Sequence, residues 1–202
     1  IGDPFVALKI FNEKEVDELV ILDINKSIIE PDFDFLNQLA SEAFMPLSYG
    51  GGINCVDTAE KIFRIGFEKV VINSANINDF SLIESISSRF GNQAVVCCVD
   101  YKINFFGKRI CTFNNGRNSI NAKINDFIKE AIEAGSGEIL LQCINYEGRM
   151  EKMDIEFIKE VVKNCPAPVI GTGGASSYKF ISDFFKKKNA SAIAAGSIFV
   201  YH

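Results

Sequence analysis

Three stretches from the first half of the chain recur in its second half, in the same order. The paired segments are residues 16–24 with 136–144, 45–53 with 167–175, and 70–75 with 192–197. The offset is nearly constant, since Glu18 aligns with Glu138, 120 residues later, and Gly52 aligns with Gly174, 122 residues later. Such self-similarity is typical of a duplicated half-unit. It predicts a (β/α)8 TIM barrel built from two half-barrels, of about residues 1–100 and 101–202, rather than an open doubly wound sheet.

Short apolar runs alternate with amphipathic stretches along the whole chain, which predicts parallel strands covered by helices. The predicted strands are residues 18–24, 45–49, 69–73, 94–100, 137–143, 168–172 and 191–195. In an eight-strand barrel the first strand would precede Ile1 and the last helix would follow His202. We therefore expect one domain, residues 1–202, that is an incomplete barrel; the alternative is a protein that natively has seven strands.

Composition excludes several classes of protein. The chain has 202 residues, 48% of them apolar, and a net charge of −5 from 21 basic and 26 acidic residues. These values are unlike those of disordered chains, and they give no reason to expect a nucleic-acid partner. There is no apolar run long enough to cross a membrane and no secretory signal, so we expect a cytoplasmic protein. With one histidine and no C-x-x-C pair among six cysteines, we expect reduced thiols, no metal and no cofactor.

Small polar residues and glycines cluster where four of the predicted strands end. Such residues let backbone N–H groups approach an anion, and in barrels of this kind chemistry occurs at the carboxyl ends of the strands. The pattern predicts two phosphate sites at one barrel mouth, and so an elongated ligand with a phosphate at each end. The first site consists of Gly51, Gly52, Asn73 and Ser74, and the second of Gly173, Gly174, Gly196 and Ser197.

Three carboxylates also follow strand ends at the predicted mouth. Asp100 ends an apolar run, where burial would raise its pKa toward the working pH of a general acid or base, although helix capping is the alternative. Asp23 ends the 18–24 strand in the same way. Glu147, followed by Gly148, lies on another mouth loop, where it either binds a ligand hydroxyl or is merely solvated.

Three charged residues begin alternate strands at the opposite end of the predicted barrel. Glu18, Lys69 and Glu138 would share one interior layer and form a salt-bridged ring. The ring is either a plug that stabilises the barrel floor or a gate between the barrel interior and a protein docked below it.

Taken together, these segments resemble the cyclase subunit family of imidazole glycerol phosphate synthase. The resemblance covers nearly the whole chain and rests on the blocks VDELVILDI, PLSYGGGI, EKVVINSA, FGNQAVVCCVD, GSGEILLQCI, PVIGTGGA and AAGSIF. It implies a barrel that takes ammonia from a glutaminase subunit docked at its N-terminal face. The ammonia would convert a bisphosphate aminoimidazole carboxamide nucleotide to imidazole glycerol phosphate and the carboxamide ribonucleotide, in histidine biosynthesis.

The resemblance also implies roles for individual residues. The family uses two catalytic aspartates, of which the second matches Asp100 and the first would precede Ile1, so the 202 residues alone are expected to bind ligands without turning them over. The phosphate sites match the two glycine clusters, and Glu18, Lys69 and Glu138 match the ammonia gate. The chain departs from the family at Gln142, usually Thr, and at Asn145 to Arg149, usually Asp-Arg-Asp-Gly-Thr.

Two other functions stay open at this point. Residues 2–24 resemble paralogues associated with surface-polysaccharide clusters, which are thought to pass ammonia to a sugar-amidating enzyme. The sister sugar-phosphate isomerase of histidine synthesis shares the half-barrel plan and the glycine turns, but it needs neither ammonia nor the charged ring.

Overall fold

A computed structural model describes residues 3–25, 30–73, 79–187 and 190–200. Strands and helices alternate along the chain as the periodicity predicts. The strands are β1 Leu19–Leu22, β2 Leu47–Gly50, β3 Lys69–Ile72, β4 Val95–Ile103, β5 Arg109–Phe113, β6 Asn118–Ser119, β7 Glu138–Cys143, β8 Val169–Thr172 and β9 Ala192–Ala194. The helices are α1 Pro4–Glu13, α2 Phe33–Glu42, α3 Val56–Ile65, α4 Ser81–Phe90, α5 Ile124–Glu133, α6 Ile155–Asn164, α7 Tyr178–Lys186 and α8 Ser197–Val200. No helix within these ranges has the length and hydropathy to cross a membrane.

Seven of the strands form one parallel sheet in the order β1-β2-β3-β4-β7-β8-β9. Each parallel connection contains a helix, which is the arrangement of a (β/α)8 TIM-barrel-type fold and confirms the predicted fold class. The two remaining strands, β5 and β6, form an antiparallel extension from β4.

The sheet has apolar residues on both faces, as strands of a parallel sheet require. The larger cluster lies between the sheet and the helices and includes Leu36, Ile62, Val95, Phe157 and Phe184. On the inner face a smaller cluster is formed by Val71, Val96, Cys98 and Leu140, against which Val20, Ile170 and Ala194 pack. This inner layer separates the two ends of the barrel interior.

One predicted strand end is wrong. The 94–100 strand was expected to stop at Asp100, but β4 continues to Ile103 because it also pairs with β5. Asp100 therefore lies inside a strand, opposite Gln142 on one side and Thr112 on the other. The chain reverses between β4 and β5 in a turn around Gly107, closed by a hydrogen bond from Asn104 N–H to the Lys108 carbonyl.

Candidate functional site

The carboxyl ends of β1 to β4 surround a cavity of about 600 Å³. Asp23 lines it, and so do three of the four residues of the predicted first phosphate site, Gly51, Gly52 and Asn73. The fourth residue of that site, Ser74, lies outside the described residues. Gly51 and Gly52 have φ angles of 137° and 63°. A side chain at Gly51 would also meet Asp23, with 2.7 Å between the two Cβ atoms. Glycine is therefore needed where β2 turns away from the cavity.

A polar cluster lies at the base of this cavity, on the inner face of the sheet. The Asn73 amide donates to Cys98 Sγ at 3.4 Å, and the Cys98 thiol lies 3.5 Å from Asp100 Oδ1 and 3.7 Å from Gln142 Oε1. Cys98 and Asp100 share a face because side chains two apart on a strand point the same way. The cluster holds the Asp100 carboxylate by several contacts at once.

Asp100 is buried, with 2% of its surface exposed. Burial raises the pKa of its carboxyl group above the ordinary value, while hydrogen bonds from Asn73 and Cys98 partly oppose the rise. A carboxyl group with a raised pKa is better matched to proton transfer near neutral pH than an ordinary aspartate.

The second predicted phosphate site lies at the same end of the sheet, at β8 and β9. A small depression of about 20 Å³ is lined by Gly173, Gly174, Gly196 and Ser197, and also by Glu147 and Gly148. Ser197 is the first residue of the short helix α8. The two sites were expected to be alike, yet this one has room for about one water molecule.

Gly174 is closely enclosed by the loop that follows β7. Its φ angle is 92°, and a Cβ atom there would lie 1.7 Å from the Lys152 carbonyl oxygen. The loop thus contacts the β8 turn directly, which explains how Glu147 and Gly148 come to line the depression.

Glu147 is open to solvent at the mouth but has protein around much of its carboxyl group. Partial burial raises the pKa of Glu147, and the charge of Asp100 contributes to the rise. Asp23 follows β1 directly; its N–H donates to the Gly50 carbonyl at 2.7 Å, and its Oδ1 accepts from the Asn25 N–H. Both carboxylates are therefore at the mouth, as predicted.

At the opposite end of the sheet, the structure brings the three predicted charges together. Lys69 Nζ lies 2.7 Å from Glu18 Oε2 and 2.8 Å from Glu138 Oε1. Glu18 also accepts a hydrogen bond from the hydroxyl of Ser48, which is fully buried. Burial disfavours the Lys69 charge, but the hydrogen bonds to Glu138 and Glu18 outweigh it and raise the pKa of the ammonium group. The ring closes the floor of the interior below the apolar layer.

Several residues near the site were not predicted from the sequence. Cys98 was expected only to be one of six reduced thiols, although its position two before Asp100 puts it on the same strand face. Asn114 and Asn115 line the first cavity, both with φ near 55°, a conformation that asparagine tolerates. Asn145 fixes the loop after β7, because its amide group bonds both the N–H and the carbonyl of Ile103.

Thr112 is the least expected neighbour of Asp100. It pairs with Asp100 across the β4–β5 ladder, so the two side chains lie on the same face. Its buried Oγ1 has no hydrogen-bond partner among the residues described. Neither Thr112 nor Asp100 is among the residues that line the 600 Å³ cavity, so this hydroxyl is enclosed by protein.

Within the described ranges, no group of three or more His, Cys, Asp or Glu side chains is placed to hold a metal ion.

Comparisons with known proteins agree with this geometry. A model of the family described as "Histidine biosynthesis protein" matches residues 1–202. The chain is 42% identical to "Putative imidazole glycerol phosphate synthase subunit hisF2" of Pseudomonas aeruginosa, over all of this chain and 81% of that protein. It is 40% identical to the similarly named HisF protein of Leptospira interrogans, covering 80% of it. It is 33% identical to "Imidazole glycerol phosphate synthase subunit HisF" of Streptococcus sanguinis, covering 81% of it.

Proposed function

The chain belongs to the histidine biosynthesis protein family, and from that premise we propose that it is a cyclase subunit of the imidazole glycerol phosphate synthase type. In this proposal it accepts ammonia from a glutaminase. It then converts a bisphosphate aminoimidazole carboxamide nucleotide to imidazole glycerol phosphate and the carboxamide ribonucleotide. The observation that carries the proposal is the arrangement of two glycine-rich anion sites at one mouth, with a buried carboxylate of raised pKa between their strands.

The first anion site would hold one phosphate of the substrate. Its 600 Å³ cavity is large enough for a phosphorylated sugar, and Gly51, Gly52 and Asn73 line it, with Ser74 next in sequence. The backbone N–H groups of Gly173, Gly174, Gly196 and Ser197 would hold the other phosphate. Binding both ends would place the middle of the substrate over Asp100.

Asp100 would transfer protons at the reacting centre. Ammonia addition and ring closure both require protons to move between nitrogen and oxygen atoms, and a carboxyl group with a raised pKa can accept and return them. The Gln142 amide lies beside Asp100 on the neighbouring strand β7, where it would orient the substrate.

Ammonia would enter from the opposite end, past the ring of Glu18, Lys69 and Glu138. Above that ring the interior is lined by the apolar cluster around Val71, Val96 and Leu140. Such a layer admits neutral ammonia but disfavours ammonium, because burying an unpaired charge is costly. The glutaminase would therefore dock at the N-terminal face of the barrel.

The test is ammonium-dependent turnover of the bisphosphate nucleotide by the full-length protein, with nucleotide affinity measured by calorimetry. Asp100→Asn should lower kcat by about 10²–10⁴-fold and leave nucleotide affinity within about threefold. Asp126→Asn, an exposed carboxylate on α5, is the matched control and should change neither quantity. Full turnover by the Asp100 variant would refute the proposal.

A second candidate function is delivery of ammonia to a sugar-amidating enzyme, as in the paralogues. It is favoured by Gln142, whose amide occupies the base of the first cavity where the family usually has threonine. If the nucleotide is bound but not turned over, while the protein still stimulates its glutaminase, this second function is supported instead.

A further inference from the structure

The β4–β5 hairpin displays two phenylalanines in solvent. Phe105 is 99% and Phe106 is 89% exposed, and the two rings pack against each other with centroids 5.7 Å apart. Both lie on the turn after β4, and that strand carries the chain three residues, roughly 10 Å, beyond Asp100. An apolar pair held so far into water is characteristic of a contact surface for another molecule.

The tip is held in one conformation. Asn104 Oδ1 accepts hydrogen bonds from the N–H groups of Phe106 and Lys108, and the Asn104 carbonyl accepts from Gly107. Because the backbone of the turn is already ordered by these bonds, it loses little conformational entropy when it binds another molecule.

The base of the hairpin is equally fixed. Arg109 makes two hydrogen bonds to the Asp154 carboxylate, at 2.7 and 2.8 Å, and its guanidinium lies over the Phe157 ring. On the other strand Asn145 bonds both backbone groups of Ile103. These contacts fix the base of the hairpin to the barrel, which argues against a hinged flap that closes over the mouth.

The charge of the segment around the hairpin indicates the kind of surface that the hairpin would bind. Residues 101–123 contain five basic side chains and no acidic one, whereas the rest of the chain has 16 basic against 26 acidic side chains. Arg109 is paired with Asp154, but Lys102, Lys108, Arg117 and Lys123 form no ion pair within the described ranges. An apolar tip within such a basic segment fits an apolar pocket rimmed by carboxylates.

We propose that the Phe105–Phe106 tip and its basic flanks are the docking surface for a second protein, one whose surface offers an apolar pocket with an acidic rim. This site goes beyond the proposed function, because the glutaminase would dock at the opposite end of the barrel. A protein seated here would stand directly over the mouth, where it could receive what leaves the barrel.

In the test, a photo-crosslinking amino acid replaces Phe106 in the full-length protein, which is expressed in the organism that encodes it. The crosslinked protein is identified, purified and titrated against the full-length protein by calorimetry. The double variant Phe105→Ser/Phe106→Ser should weaken binding at least about 100-fold, and raising NaCl from 50 to 500 mM should weaken it at least about tenfold. Val6→Ser is the control, since Val6 is an apolar residue that is 55% exposed on helix α1, outside the hairpin; it should bind like the unmodified protein.

Other outcomes overturn the proposal. The proposal is overturned if the probe at position 106 gives no more crosslink than the same probe at position 6, or if the double variant binds equally well. A dimer that light scattering detects and the double variant abolishes would make the occupant a second copy of this chain. Tip-dependent binding to vesicles with one-third phosphatidylglycerol would make it a lipid surface. Protection of the tip from hydrogen exchange by the nucleotide alone would make it a lid.

Discussion

Removing the Lys69 ammonium should destabilise the protein far more than its small size suggests. Lys69 Nζ contacts Glu18 and Glu138 at 2.7 and 2.8 Å, and the three side chains are only 17%, 27% and 20% exposed. Lys69→Met leaves two carboxylates facing each other on the barrel floor without their cation. Breaking a buried ion pair by removing one partner costs about 3–5 kcal/mol.

The expected magnitude is somewhat below that range. Because each side chain retains about a fifth to a quarter of its exposure, water would offset part of the cost, and we expect a loss of about 2–4 kcal/mol in the free energy of unfolding. In a domain of this length that loss lowers Tm by roughly 4–16 °C. Urea and thermal unfolding at pH 7 measure it.

A surface ion pair of the same length provides the control. Lys61 lies 2.7 Å from Glu30, but both side chains are more than half exposed. Lys61→Met should therefore cost no more than about 0.5 kcal/mol. The triple variant Glu18→Gln/Lys69→Met/Glu138→Gln should recover most of the lost stability, since no unpaired charge remains. Equal effects of the Lys69 and Lys61 substitutions would refute the reasoning.

The same ring predicts a pH dependence. Because the pKa of Lys69 is raised in the folded protein, its stabilising contribution is complete below the ordinary lysine value of 10.5. The contribution is lost as the pH rises through the higher, folded value. On the alkaline side, the stability difference between the unmodified protein and Lys69→Met should accordingly begin to shrink only above pH 10.5.

Two further predictions concern the mouth. Asp100→Asn should raise Tm at pH 7: burial raises the pKa of Asp100 above 3.8, so its ionised form costs the native state about 1.4 kcal/mol per pKa unit. That gain should fade as the pH approaches 4, and a lower Tm at pH 7 would contradict it. Gly174→Ala should cost at least about 2 kcal/mol, because its Cβ would lie 1.7 Å from the Lys152 carbonyl oxygen. Gly107→Ala, with φ of 75° and open space, should cost about 1 kcal/mol in the same unfolding assay; equal costs would contradict the steric argument.

Much of the fold could be predicted because its determinants are local. The apolar runs at 69–73 and 137–143 differ from β3 and β7 by one residue, since parallel strands covered on both faces leave a continuous apolar signal. The ring of three charges was also predictable, because starting positions on alternate strands define an interior layer. The repeat gave the order in which these strands stand in the sheet.

The surroundings of Asp100 could not be predicted in the same way. The apolar pattern stops at Asp100, but β4 pairs with β7 as far as Tyr101 and with β5, residues 109–113, as far as Ile103. Thr112 faces Asp100 through that register, which no local pattern specifies. Cys98, by contrast, was accessible to sequence reasoning: the period of two places it beside Asp100 as soon as that residue is assigned to the mouth.

The position of Asp100 within a strand has a consequence for how this protein can diverge. Two ladders hold the backbone at Asp100, one to β5 and one to β7, and the β7 ladder does not depend on the turn at Asn104 to Lys108. Relatives could exchange, lengthen or recharge that turn while Asp100 keeps its place opposite Gln142. New protein contacts could thus evolve at the turn between β4 and β5 without displacing Asp100.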